Sequence, residues 1–254
     1  MAVPSVTRYL WTTGPSDPAG RPFATLDLGR WTSIRPSSPR PGSSTATTRP
    51  SSPSADDAAG DASDPTDVAV RLFYAVRDGF RYDPYNVDHA PERFRASAVV
   101  ASSSNWCVPK SVLLTAAARA RGIPARLGFA DVKNHLTSDK LRAQMQTDVF
   151  AWHGYSELLL DDGRWHKLST AFNIELCDRF GVETLDFDGT GDALMHPFDK
   201  AGNRHMEYVN QRGSFDDLPL DRILADFAQN YRRDGAAAAG GPGNAAAAGD
   251  DAFA

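Results

Sequence analysis

The chain has 254 residues, 41% hydrophobic and 23% charged, which is enough to bury the core of one ordinary globular domain or slightly more. Its 27 Lys and Arg against 32 Asp and Glu leave a formal net charge of −5, which argues against nucleic acid or an anionic membrane as the main partner. Two cysteines are too few for a disulfide framework, and neither a charged leader with an apolar run nor a bilayer-length apolar stretch is visible, so the expectation is a cytoplasmic protein with both thiols reduced.

In chain order, residues 1–32 hold the apolar stretches RYLWTT and RPFATLDLGRW and are expected to dock on the core. Residues 33–64 are rich in Ser, Pro, Thr and Ala with almost no large apolar side chains; they cannot offset the entropy of ordering and are expected to form a disordered insertion. The working domain is placed at residues 65–233, with no internal repeat, followed by a disordered Ala/Gly tail at 234–254 whose glycines oppose the helix its alanines favour.

Within the domain, DPTDVAVRLFYAVRDGF carries Val68, Leu72, Phe73 and Val76 at helical spacing behind a capping Asp, an amphipathic helix ending near Gly79. The run SNWCVPKSVLLTAAARARGIPARLG predicts a second. Pro109 is comfortable only in a first helical turn, so the helix starts at about Asn105 or Trp106 and Cys107 lies in that turn. Leu113, Ala116, Ala117 and Ala120 share a face, and Gly122 with Pro124 stops the helix before an extended segment. Unpaired N–H groups at a helix start favour a thiolate over a thiol, so position predicts a lowered Cys107 pKa. The alternative is a small buried hydrophobe.

DVFAWHGYSELLLDDGRWHKLSTAFN reads as a hairpin, Val149–Leu160 and Trp165–Phe172, around a glycine-containing turn. Alternation puts His153, Tyr155 and Glu157 on one face. A thiolate nucleophile needs a histidine, and the histidine an orienting partner; of the six histidines, His153 and His166 both lie on this hairpin, and spacing alone does not choose between them. Cys177, in AFNIELCDRFG, reads as a buried structural thiol. DFDGTGDALMHP has alternating oxygen ligands and a glycine at the sixth position, as a calcium loop would, but Pro197 stands where that loop needs Glu, so a solvated acidic turn is expected. His196, Asp199, His205 and Glu207 have no zinc spacing, with or without Cys177, so no metal is expected. DLPLDRILADFAQNYRRD sets Leu220, Ile223, Leu224 and Phe227 on one stripe, a C-terminal helix covering the core.

Taken in order, Tyr82-Asp83-Pro84 after a helix, Trp106-Cys107 at a helix start, Gly122-Ile123-Pro124-Ala125-Arg126 at its close, and His153-x-x-x-Glu157 ahead of Asp162-Gly163-x-Trp165 resemble the transglutaminase-like superfamily, cysteine acyl-transfer enzymes with a papain-like core. The resemblance spans Val68 to Asn173. It implies an α+β fold in which the helix bearing Cys107 packs on an antiparallel sheet bearing His153, with Cys107 as nucleophile and His153 as general acid and base. The sequence departs from the family at the third position. Trp165 and three further residues should lead to Asp-Pro, and here lead to Ser169-Thr170.

Strand geometry tests whether Ser169 can serve instead. With a three-residue loop and Gly163 left-handed, residues whose numbers sum to 324 face one another and Ser169 shares the His153 side; a two-residue turn would bring Thr170 there. Asn173 and Asp188 are further candidates. A neutral acceptor stabilises imidazolium less than a carboxylate does, so the ion pair should be weaker than in an Asp-containing relative. The expected activity is acyl transfer or hydrolysis at an amide through a thioester, on a protein, peptide or small amide substrate, with no cofactor. The rival reading is a non-catalytic binding module on the same fold.

Overall fold

The computed structural model describes residues 55–231; the expected docking segment at 1–32, most of the 33–64 insertion and the tail lie outside them. Asp64 accepts hydrogen bonds from the Thr66 and Asp67 amides at 2.9 and 3.0 Å, and with Pro65 behind this cap the helix α2 (Pro65–Gly79) forms as its spacing predicts. The described residues begin ahead of the expected boundary at 65. Ala55–Ala59 is a short helix, α1, whose Ala55 and Ala59 are buried, while Arg71 of α2 reaches the Ala59 carbonyl at 3.0 Å and Asp61 at 2.8 Å. Large apolar side chains are not needed where alanines let a helix approach this closely.

Short strands β1 (Arg81–Tyr82) and β2 (Ser104–Asn105) pair in parallel, separated by a 3-10 turn at Pro91–Phe94 and helix α3 (Ala96–Val100). Helix α4 (Cys107–Ala120) follows and stops at Gly122, left-handed with φ 78°, where the Ile123 amide returns to the Ala118 carbonyl at 3.0 Å. Next come β3 (Ala125–Asn134), α5 (Asp139–Met145), β4 (Val149–Leu159), β5 (Trp165–Leu168), α6 (Ile174–Phe180), β6 (Met206–Phe215) and α7 (Leu220–Asn230). The last four strands form one antiparallel sheet in the order β5-β4-β3-β6. This is a mixed α+β architecture with the antiparallel sheet that the sequence implied.

The hairpin follows the three-residue loop. Ser156 faces Leu168 and Leu158 faces His166, and Gly163 is left-handed at φ 75°. β5 is shorter than expected because past Leu168 the chain changes partner, with the Ser169 amide donating to the Ala193 carbonyl at 2.8 Å. α4 lies on β4. A Cβ on Gly154 would stand 3.1 Å from the Val108 Cα, so glycine lets strand and helix meet more closely there than a larger residue would. Ser156 donates to the Ser111 carbonyl at 2.9 Å and accepts from Thr115 at 3.0 Å. On the other face, the Tyr155 ring fills the space above Gly128. Leu72, Phe73, Phe80, Leu114, Phe129, Leu158 and Leu168 are fully enclosed in the core between. Among the described residues no helix is long and apolar enough to cross a membrane.

Candidate active site

Cys107 is the first residue of α4, one position later than the sequence suggests, and Trp106 is its cap. Among the described residues no side chain caps this helix, and Pro109 has no N–H, so the amides of Cys107 and Val108 are left to find another acceptor. They turn to the Cys107 sulfur, joined from β4 by the amide of Gly154. All three favour thiolate. Burial overrides them, since the thiol is 7% exposed, and desolvation pushes its pKa up to about 11. The lowered value expected from helix position is therefore corrected. Local position supplies the amides, but burial by distant parts of the chain sets the sign.

His153 sits on β4 immediately before Gly154, so the residue that follows it hydrogen-bonds the sulfur. Its ring is buried, and desolvation, with no compensating charge, lowers its pKa to about 4. The resting groups are thus neutral thiol and neutral imidazole rather than an ion pair. The Ser169 Oγ lies 3.5 Å from Nε2, a contact at the outer limit for a hydrogen bond. Tyr208 of β6 sets its ring edge-on to His153, centroids 6.2 Å apart, and its phenol also feels the Cys107 sulfur.

The other candidates are placed elsewhere. Thr170 is buried, and its hydroxyl has no partner among the described residues. Asn173 accepts the Tyr82 amide at 2.9 Å and donates to Glu175 at 2.7 Å, which ties β1 to the chain beyond Ser169. Asp188 accepts from the amide and hydroxyl of Thr190 in an exposed turn. His166 has one ring nitrogen on the Gly191 carbonyl and the other on Asp162, both at 3.1 Å. Cys177 is buried and free, its thiol raised to about 11 by burial. In the acidic loop, Asp192 accepts the Lys167 amide at 2.9 Å and Asp186 lies 3.5 Å from Arg77.

Three of the residues that carried the resemblance form a separate cluster. Arg126 and Glu157, opposite one another on β3 and β4, pair at 2.6 Å; Ser214 donates to the same carboxylate at 2.9 Å, and Trp165 lies under the guanidinium at 4.0 Å. They brace the sheet.

Residues 54–170 match the model of the transglutaminase-like superfamily. Over that stretch the chain is similar to transglutaminase-like domains. Among curated proteins none matches the chain. The superfamily is generally one of cysteine-dependent acyl transfer and hydrolysis, and the transglutaminase-like region ends one residue beyond Ser169.

Several residues around this candidate site escape sequence reasoning. Lys110, one turn after Cys107, is wholly buried and donates to the carbonyls of Arg77, Phe80 and Ala171 at 2.8, 2.6 and 3.0 Å. It closes the end of α2 and anchors the chain two residues past Ser169, while burial pulls its pKa down to about 7. A lysine inside an otherwise apolar run was the available signal. His205 is 2% exposed, and neither ring nitrogen has a partner among the described residues; its ring stacks on Phe172 at 5.8 Å, which in turn meets Tyr82 at 4.9 Å.

Proposed function

We propose that the protein is a cysteine-dependent acyltransferase or hydrolase acting on an amide, with Cys107 as nucleophile and His153 as the base. The observation that carries this reading is the Gly154 amide on the Cys107 sulfur, which sets the thiol against the residue that follows His153. If Nε2–H is directed at Ser169, Nδ1 is the free acceptor. As the S–C bond forms, the Cys107 proton passes to that nitrogen and the carbonyl electron pair moves onto oxygen, where an amide of the helix start stabilises it. The C–N bond then breaks, the amine leaves with the proton from imidazolium, and a thioester remains. Water resolving it makes an amidase or peptidase; an amine makes a transamidase.

Reaction with a p-nitrophenyl ester tests the proposal. A burst of nitrophenol equal to the enzyme, with the acyl mass on the Cys107 peptide, is expected in the parent and absent in Cys107→Ala. Added methylamine then partitions the thioester between acid and amide. Turnover that survives Cys107→Ala overturns the reading. The buried, neutral thiol favours one second reading, a non-catalytic binding module, for which neither burst nor adduct would form.

A further inference from the structure

β4 is not regular where it reaches His153. Ala130 faces His153, but two residues on, Val132 faces Phe150, so β4 holds one extra residue in a bulge. Trp152 in this bulge has φ 60°. A left-handed conformation is ordinary for glycine and strained for a bulky side chain, and such strain persists only where the surroundings over-determine it.

Trp152 is held from every side. Its amide, freed from the ladder, donates to Asp131 at 3.0 Å. Its indole N–H donates to Asp226 of α7 at 2.8 Å. The Arg212 guanidinium lies 4.6 Å above the indole and pairs with both Asp131 and Asp226, and Phe129 meets the ring at 5.3 Å. The neighbouring bulge amide, Ala151, is taken by the Tyr231 hydroxyl at 2.6 Å. Four strongly polar side chains from β3, β6, α7 and the segment after it thus converge on two backbone amides and one indole. Bulges next to reactive sites re-aim a side chain, and the side chain that follows this one is His153.

We propose that Asp131, Arg212 and Asp226 are positioning residues that hold Trp152 left-handed, so that the bulge aims the His153 imidazole into the site. This rests on His153 being the base. The clamp acts through Trp152 and touches no reacting atom.

The experiment uses the full chain and reads iodoacetamide labelling of the Cys107 peptide by mass at pH 7.5, with folding followed by circular dichroism. His153→Ala is expected to slow labelling about tenfold or more. If it does not, the base assignment fails, whatever the clamp does. Granted that slowing, Asp131→Ala should slow labelling to a similar rate and add nothing in the double variant with His153→Ala, because both remove one function. Asp131→Asn, which keeps an oxygen for the Trp152 amide, should restore part of the rate. Trp152→Gly should label about tenfold faster than Trp152→Ala, since glycine adopts this φ freely and alanine does not. Independent slowing in the Asp131–His153 double variant, or Gly no better than Ala at 152, overturns the proposal. The Trp152 pair keeps the test decisive if Asp131→Ala fails to fold.

Discussion

Replacing His205 by phenylalanine should make the protein more stable and flatten its response to acid. The imidazole is 2% exposed, stacks on Phe172 and leaves two nitrogens without partners among the described residues; an unsatisfied buried polar group costs about 1–3 kcal/mol. A phenyl ring keeps the stack and removes that cost, so a gain of about 1–3 kcal/mol is expected at pH 7.5. Burial, its largest influence, also lowers the His205 pKa from 6.5 to about 4. As pH falls below 6.5 the unfolded chain takes up the proton first and the folded one resists until about 4, so stability present above 6.5 is lost across that window. The gap is worth about 3 kcal/mol per histidine. His153, lowered to about 4 by burial, contributes a second share of similar size. Together they give a slope approaching about 2.7 kcal/mol per pH unit, halved when His205 is gone. Urea midpoints for parent and His205→Phe between pH 7.5 and 4.5 measure it, because carboxylates other than Asp199, which feels His205, titrate alike in both proteins and cancel in the difference. Parallel curves for the two proteins would refute the argument.

Lys110→Met should cost about 3–5 kcal/mol in urea unfolding, since it strands three buried carbonyls that the Lys110 Nζ now satisfies. Ser169→Asp should raise the His153 pKa, read from its imidazole proton shifts, and speed Cys107 labelling at pH 7 by about tenfold, because a carboxylate stabilises imidazolium where a hydroxyl barely does. Ser169→Ala should change the labelling rate less than threefold, as expected of a contact at 3.5 Å. A methyl group on Gly128 would fall 2.1 Å from the Tyr155 ring, so Gly128→Ala should lower stability by about 1–3 kcal/mol through forced displacement of that ring.

Local rules made much of this molecule legible. Asp64 and Pro65 announced α2, Pro109 and Gly122 bracketed α4, and Asp162-Gly163 marked the hairpin loop while leaving two registers open, one with Ser169 and one with Thr170 on the His153 side. What stayed hidden depends on residues brought together from far apart. The bulge at Trp152 has no sign in DVFAWHGYSELLL, whose apolar run before His153 fits a regular buried strand equally well, because the groups that create it sit 21 and 74 positions away. The direction of the Cys107 pKa failed for a related reason. A helix start is a local feature, whereas desolvation is imposed by the entire core. The ordered alanines of α1 were missed because composition counts apolar bulk and does not see close approach.

The missing side-chain cap on α4 sets up a competition that ordinary stabilisation would disturb. Serine or aspartate in place of Trp106 would supply the acceptor most helix starts have, and with proline at the third helical position that acceptor could take only the Val108 amide. A sturdier helix would then come at the expense of one of the three donors that now serve sulfur. Leaving the first turn open keeps those donors free for charge that develops on the nucleophile.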